Sequence, residues 1–269
     1  MNHTKVTFFI CIITAMLTAL SCSTRTTVRG ETDPAFQLNL SAPIDRWDEA
    51  IPLGNGLTGG LVWGADSIIN LSLDRGDLWD VRTHPGFTAP GFTYETVKKM
   101  ALAGLTDSLN RQYARVSDFP TKLPGCRLVI SLPEGVTVES FHLDMKRGLG
   151  SVDLGESSAE SFFSAFRPVA LVKIPGSLKD FQLMANPAVA RLGNEPARIE
   201  KDEKGISLIQ DAALGFRYAF CVRAGKFKNY TLLAIASATS EDTDNPLEMA
   251  RNQAQQALNE GYNKLLKEH

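Results

Sequence analysis

The chain is poor in the residues that most often carry recognisable chemistry. It holds four cysteines and four histidines in 269 residues. Cys11 falls within the first apolar run and Cys22 at its end, which leaves Cys126 and Cys221. Both sit in apolar, strand-like runs, Cys126-Arg127-Leu128-Val129-Ile130 and Phe220-Cys221-Val222. Neither has a partner at metal-ligand spacing, and His84, His142 and His269 stand far apart. A zinc module is therefore not expected, and no metal is assigned. The thiols are read as separately buried; one disulfide stays open, because sequence alone does not place the two within bridging distance.

An excess of charge of either sign is also missing. The formal net charge is −2, and Lys and Arg are scattered. No basic stripe exists to draw nucleic acid, so nucleic-acid partners are excluded. No Gly-x-Ser-x-Gly elbow and no Cys–His pair points to nucleophilic catalysis. There is no internal repeat. The one long apolar run, Val6 to Leu20, is short of the roughly 20 residues that a membrane span needs. Preceded by Lys5 and closed by Ala19-Leu20-Ser21-Cys22, it predicts a secretory signal over residues 1–22. The Cys after Leu-Ser resembles a lipobox, which makes Cys22 the lipid anchor. The plainer alternative is an ordinary signal with an incidental Cys. Export is expected, to the periplasm or outer membrane of a bacterium. Residues 23–34 are polar and Thr-rich and read as a flexible tether.

What the chain does have is short strands. Phe36–Leu40 and Ile68–Leu73 alternate with the two-residue period of a half-buried strand. Leu57–Trp63 is apolar and Gly-rich. Further strands are predicted at Arg127–Leu132, Val136–Leu143, Gly150–Leu154, Ser161–Phe166, Val169–Ile174, Phe181–Ala185, Ala197–Glu200, Ile206–Ile209, Phe216–Arg223 and Tyr230–Ala236. Turn residues punctuate them, as at Pro124-Gly125 and Lys204-Gly205. Many short strands with few helices between them predict a mainly β fold, a large two-sheet antiparallel β-sandwich over residues 35–240. One inserted helix is expected at Tyr94–Val116, with Val97, Ala101, Leu105, Leu109 and Tyr113 on a stripe. A C-terminal linker helix is expected over residues 244–269. Its start, Asn245-Pro246-Leu247-Glu248, is a capping-box arrangement, and its apolar face packs on the sandwich or leads toward another domain.

The densest local signal is Trp47-x2-Ala50-Ile51-Pro52-Leu53-Gly54-Asn55-Gly56-x2-Gly59-Gly60-Leu61-Val62-Trp63-Gly64, followed by Leu71-Ser72-Leu73-Asp74-Arg75-Gly76-Asp77-Leu78-Trp79-Asp80. Gly and Asn here permit a tight turn before the Leu57–Trp63 strand. It is no phosphate loop, since the Lys-Ser/Thr of that motif is missing, and no cofactor is expected. Order and spacing over Trp47–Asp80 resemble the amino-terminal domain of glycoside hydrolase family 95, the α-L-fucosidase and α-L-galactosidase group. The resemblance implies a β-sandwich domain, a helical linker and an (α/α)6 barrel carrying the catalytic carboxylate. Because the chain ends before such a barrel, no catalytic residue is assigned. The expected function is that of an accessory domain for α-L-fucosyl or α-L-galactosyl glycans, non-catalytic alone. The alternative is a stand-alone carbohydrate-binding surface lipoprotein. Expected partners are a glycan, a membrane reached through the lipid anchor, and a catalytic barrel domain or chain.

Within the motif, Asp74, Asp77 and Asp80 have the spacing of a candidate carboxylate pair, but Arg75 and Arg82 would lower their pKa values, the opposite of what a general acid needs. Trp47, Trp63 and Trp79 could each stack on a pyranose; Trp63 reads as core and Trp79 as the better candidate for exposure. Asn55, Asp77, Trp79 and His84 are the carbohydrate-contact candidates. Each also has a structural alternative: a turn amide, a turn carboxylate, a packed indole and a loop imidazole.

Overall fold

The computed structural model describes residues 34–113 and 118–269. The predicted signal, the Cys22 anchor, all but the last residue of the tether and residues 114–116 of the predicted inserted helix lie outside the described residues. The fold is mainly β, as the alternation predicts, with sixteen strands among the described residues, all in antiparallel pairs.

A nine-stranded sheet holds β1 (Gln37–Ser41), β8 (Ser140–Asp144), β9 (Leu149–Asp153), β10 (Ser158–Phe163), β11 (Val169–Pro175), β16 (Tyr230–Thr239), β15 (Arg217–Lys226), β14 (Gly205–Asp211) and β13 (Arg198–Asp202), in that order. A five-stranded sheet runs β12 (Asp180–Ala185), β7 (Cys126–Ser131), β4 (Ile68–Arg75), β3 (Thr58–Ala65) and β2 (Ile51–Gly54). A small ribbon pairs β5 (Trp79–Asp80) with β6 (Thr121–Lys122). The two large sheets face each other over one core. Ile51, Val62, Ile69, Leu71, Leu128 and Ile130 come from the smaller sheet; Phe141, Phe163, Val172, Phe220, Val222 and Ile235 come from the larger.

The larger sheet is covered on its other face too. Helix α4 (Pro246–Glu260) and helix α5 (Tyr262–Glu268) set Ala250, Ala254, Ala257, Tyr262 and Leu265 against Ala219, Leu232, Ala234 and Ala236. Alanines on both sides let the helix backbone approach the sheet closely. Burial on two faces explains why Leu232–Ala236, within β16, reads as an unbroken apolar run rather than an alternating one. The terminal helical segment therefore has its apolar face on the sandwich. Its start is capped as expected: the Glu248 N–H donates to Asn245 Oδ1 at 3.3 Å, and Asn245 Nδ2 donates to Glu248 Oε2 at 3.1 Å.

Several boundaries differ from expectation. The C-terminal helix is broken at Gly261, whose φ of +82° ends α4. The inserted helix is two helices, α1 (Tyr94–Leu102) and α2 (Thr106–Tyr113), because Gly104 takes φ +71° between them. No residue of either helix is buried, so the predicted stripe does not reach the core. The Val136–Leu143 strand begins only at Ser140. Ile51–Gly54, not predicted, is a strand despite Pro52. It lies at the sheet edge and pairs only with β3, where proline's missing N–H costs no ladder bond. No helix among the described residues is long and apolar enough to cross a membrane.

Candidate functional site

The motif block folds into the β2–β3 hairpin and its continuation into β4. The hairpin turns at Asn55-Gly56-Leu57, with Gly56 at φ +89°. Asn55 Oδ1 accepts from the N–H groups of Leu57 (3.1 Å) and Thr58 (2.9 Å). Its Nδ2 donates to the carbonyls of Ser164 (2.7 Å) and Arg167 (2.9 Å). Both donors and the amide oxygen are thus engaged. Asn55 fastens the hairpin tip to the β10–β11 connection, so its amide serves the fold rather than a solute.

The Asp/Arg segment is equally committed. Arg75 is 2% exposed. It donates to Asp77 Oδ1 (2.9 Å) and Oδ2 (2.6 Å) and to the Ser237 carbonyl (3.1 Å), and pairs with Asp242 Oδ2 at 2.9 Å. Burial pushes the Asp77 carboxyl up, but the Arg75 contacts outweigh it, and the group ends below the usual carboxylate range. Hydrogen bonds from Arg82 hold Asp80 below that range as well. Both are held ionised, the wrong state for a glycosidic general acid. Asp74 Oδ1 accepts from the Arg75 N–H and from Lys122 Nζ, each at 2.7 Å.

Trp79 is exposed and donates its indole N–H to the Gly76 carbonyl at 3.0 Å. His84 is buried. Its Nδ1 accepts from the Gly86 N–H at 2.9 Å, and its ring tilts on Phe87, from which an aromatic run continues to Phe92 and Tyr113. None of the four carbohydrate-contact candidates lines the groove on the five-stranded sheet.

A groove of about 570 Å³ lies elsewhere, across the five-stranded sheet. This is within the usual size of a small-molecule site. One register row, Pro52–Leu61–Ser72–Arg127–Met184, crosses all five strands and lies along it. Paired residues point to the same side of a sheet, and the alternate positions Ile51, Val62, Leu71, Leu128 and Leu183 face the core. The short 3-10 turn Trp47–Glu49 places Trp47 at the rim, 56% exposed. Arg127 stacks on Trp63 with its guanidinium carbon 4.7 Å from the ring centroid, and the Trp63 indole N–H donates to Ser72 Oγ at 3.0 Å. Asn186, which caps helix α3 (Pro187–Arg191), and Asp74 add polar groups to the wall. Cys126 also borders the groove, but burial pushes its thiol far up, so it is inert there. It belongs to the inter-sheet core, while Cys221 lies under α4 on the other face of the larger sheet; both are free thiols. Among the described residues no His/Cys/Asp/Glu group is arranged to hold a metal ion.

No family model and no curated protein matches the chain. The resemblance of Trp47–Asp80 rests on its motif residues alone. The groove has no contiguous signature in the sequence, since its lining comes from five strands and the connections beside them. Trp47 has polar neighbours on both sides, Arg46 and Asp48, which marks it for the surface better than Trp79. Arg127 is the one charge in the alternating strand Cys126–Ser131, at an outward position.

Proposed function

We propose that this chain is a saccharide-holding β-sandwich module, the accessory part of a glycoside hydrolase of the family-95 type, without hydrolytic activity of its own. The observation that supports this is the groove on the five-stranded sheet. Trp47, Pro52, Leu53, Gly60 and Leu61 form one side of it, and all belong to the block that carries the resemblance. An exposed indole beside aliphatic side chains offers a flat apolar platform to the C–H face of a pyranose. Ser72, Asp74 and Arg127 supply polar contacts for its hydroxyls. The acidic residues of the motif are paired with Arg or Lys, which argues against hydrolysis by this module.

A glycan array followed by calorimetry on the whole chain tests the proposal. Saturable binding is expected, weakened about thirtyfold by Trp47→Ala, since truncating a hot-spot aromatic costs ~2 kcal/mol. Trp47 is exposed, so its loss leaves the fold intact by circular dichroism. Trp79→Ala, outside the groove, leaves binding unchanged. A flat array removes the saccharide assignment. Turnover of an aryl α-L-fucoside by the chain itself removes the non-catalytic part.

A further inference from the structure

We infer that the groove selects saccharides bearing a carboxylate, hexuronic acid units, and that Arg127 reads that group. The inference rests on the saccharide proposal above and adds the chemical class of the ligand. Arg75, Arg82, Arg167, Arg223 and Arg251 each pair with a carboxylate. Among the described residues the Arg127 side chain pairs with no carboxylate and makes no hydrogen bond; what it touches is the Trp63 ring. A guanidinium held over an indole face keeps its N–H donors for other acceptors. The groove's other charge, Asp74, is already neutralised by Lys122 at 2.7 Å, so among the described residues Arg127 is the uncompensated cation of the groove wall. It stands on β7, between Ser72 on β4 and Met184 on β12.

A planar fork of donors matches a planar carboxylate with two parallel hydrogen bonds. A neutral sugar offers this fork only hydroxyl acceptors, and a tetrahedral sulfate matches the fork without sharing the carboxylate's planarity. The flanking Leu61 and Met184, with Trp47 at the rim, supply apolar surface for the ring faces of the same chain of sugars.

The experiment is calorimetry on the whole chain with four probes: a hexuronate trisaccharide, its methyl ester, the matching neutral hexose trisaccharide and a sulfated form of the latter. The free acid is expected to bind at least ~10-fold more tightly than the ester or the neutral sugar, because a charge-assisted pair is worth roughly twice a neutral hydrogen bond. That preference disappears in Arg127→Gln, is partly kept in Arg127→Lys and shrinks with added salt. Equal, Trp47-dependent binding of acid and neutral sugar overturns the inference and leaves the saccharide proposal standing. Binding of none of the four overturns both. A preference for acid that survives Arg127→Gln overturns the role of Arg127, and stronger binding of the sulfated probe overturns the carboxylate. Thermal unfolding of both variants separates lost recognition from lost folding: if Arg127→Gln does not fold, Arg127→Lys decides, and a Lys variant that folds yet keeps the full acid preference overturns the fork.

Discussion

Replacing Asn55 with Ala separates a structural amide from a ligand-binding one. The side chain makes four hydrogen bonds of 2.7–3.1 Å, two accepted from the hairpin backbone and two donated to carbonyls of the β10–β11 connection. A fifth, from Thr58 Oγ1 at 3.3 Å, is marginal. Each net contribution is about 0.5–1.5 kcal/mol, and the site is only half-buried, so values near the lower half apply. The expected loss is roughly 2–4 kcal/mol. For a protein of this size that is a drop in Tm of about 5–12 °C. Asn55→Asp keeps the shape and the two accepted bonds but turns a carboxylate oxygen toward the Ser164 and Arg167 carbonyls, so at neutral pH it is expected to be at least as damaging. Thermal unfolding by circular dichroism, with a urea midpoint as second measure, reads both variants. Saccharide affinity, measured below the lowered Tm, is expected to stay unchanged. A Tm shift under about 2 °C combined with lost binding would refute the structural assignment and return Asn55 to the ligand.

The motif glycines are not equivalent. A Cβ on Gly64, at φ +152°, would sit 2.1 Å from the Ile68 carbonyl oxygen, so Gly64→Ala is expected to cost several kcal/mol and to leave little soluble protein. Gly56, at φ +89°, has nothing within 4 Å of that position, so Gly56→Ala is expected to lose only about 1–2 kcal/mol, through backbone strain; equal losses in the two unfolding curves would contradict the geometry. Acid stability depends on Glu260, which hydrogen bonds from Arg167 and then Lys264 hold at about 2, below its ordinary value. A folded-state value below the unfolded one stabilises above about pH 4.5 and is lost as pH falls toward 2. Arg167→Met is therefore expected to lower Tm at pH 7 and to flatten its fall between pH 5 and 2.5, with added salt reducing the difference; an unchanged pH profile would rule out the contribution.

Local pattern made most strands legible. Cys126–Ser131 alternates buried and half-buried, and its residues read the same way in a window of six. The Asn245–Glu248 cap is legible because its hydrogen bonds join residues three apart. Ile51–Gly54 carries Pro52, whose tolerance in a strand depends on an edge position that no local window reports. The break at Gly104 is not legible locally, because the four-residue spacing of Ala101, Leu105 and Leu109 continues across it.

The site was harder to read for the same reason on a larger scale. Hydrophobic period, turn glycines and caps act between residues a few positions apart, so composition and order were enough to specify a two-sheet antiparallel body and its terminal helix. Strand order and register are settled only when distant segments condense on a shared core. That condensation set Pro52, Leu61, Ser72, Arg127 and Met184 in one row. It also aimed the Asn55 amide at the β10–β11 connection and buried Arg75 against Asp242. Whether a polar side chain in this protein meets a partner or solvent therefore follows from which strand lies beside it, a nonlocal fact carried by packing rather than by the neighbours of that residue in the chain.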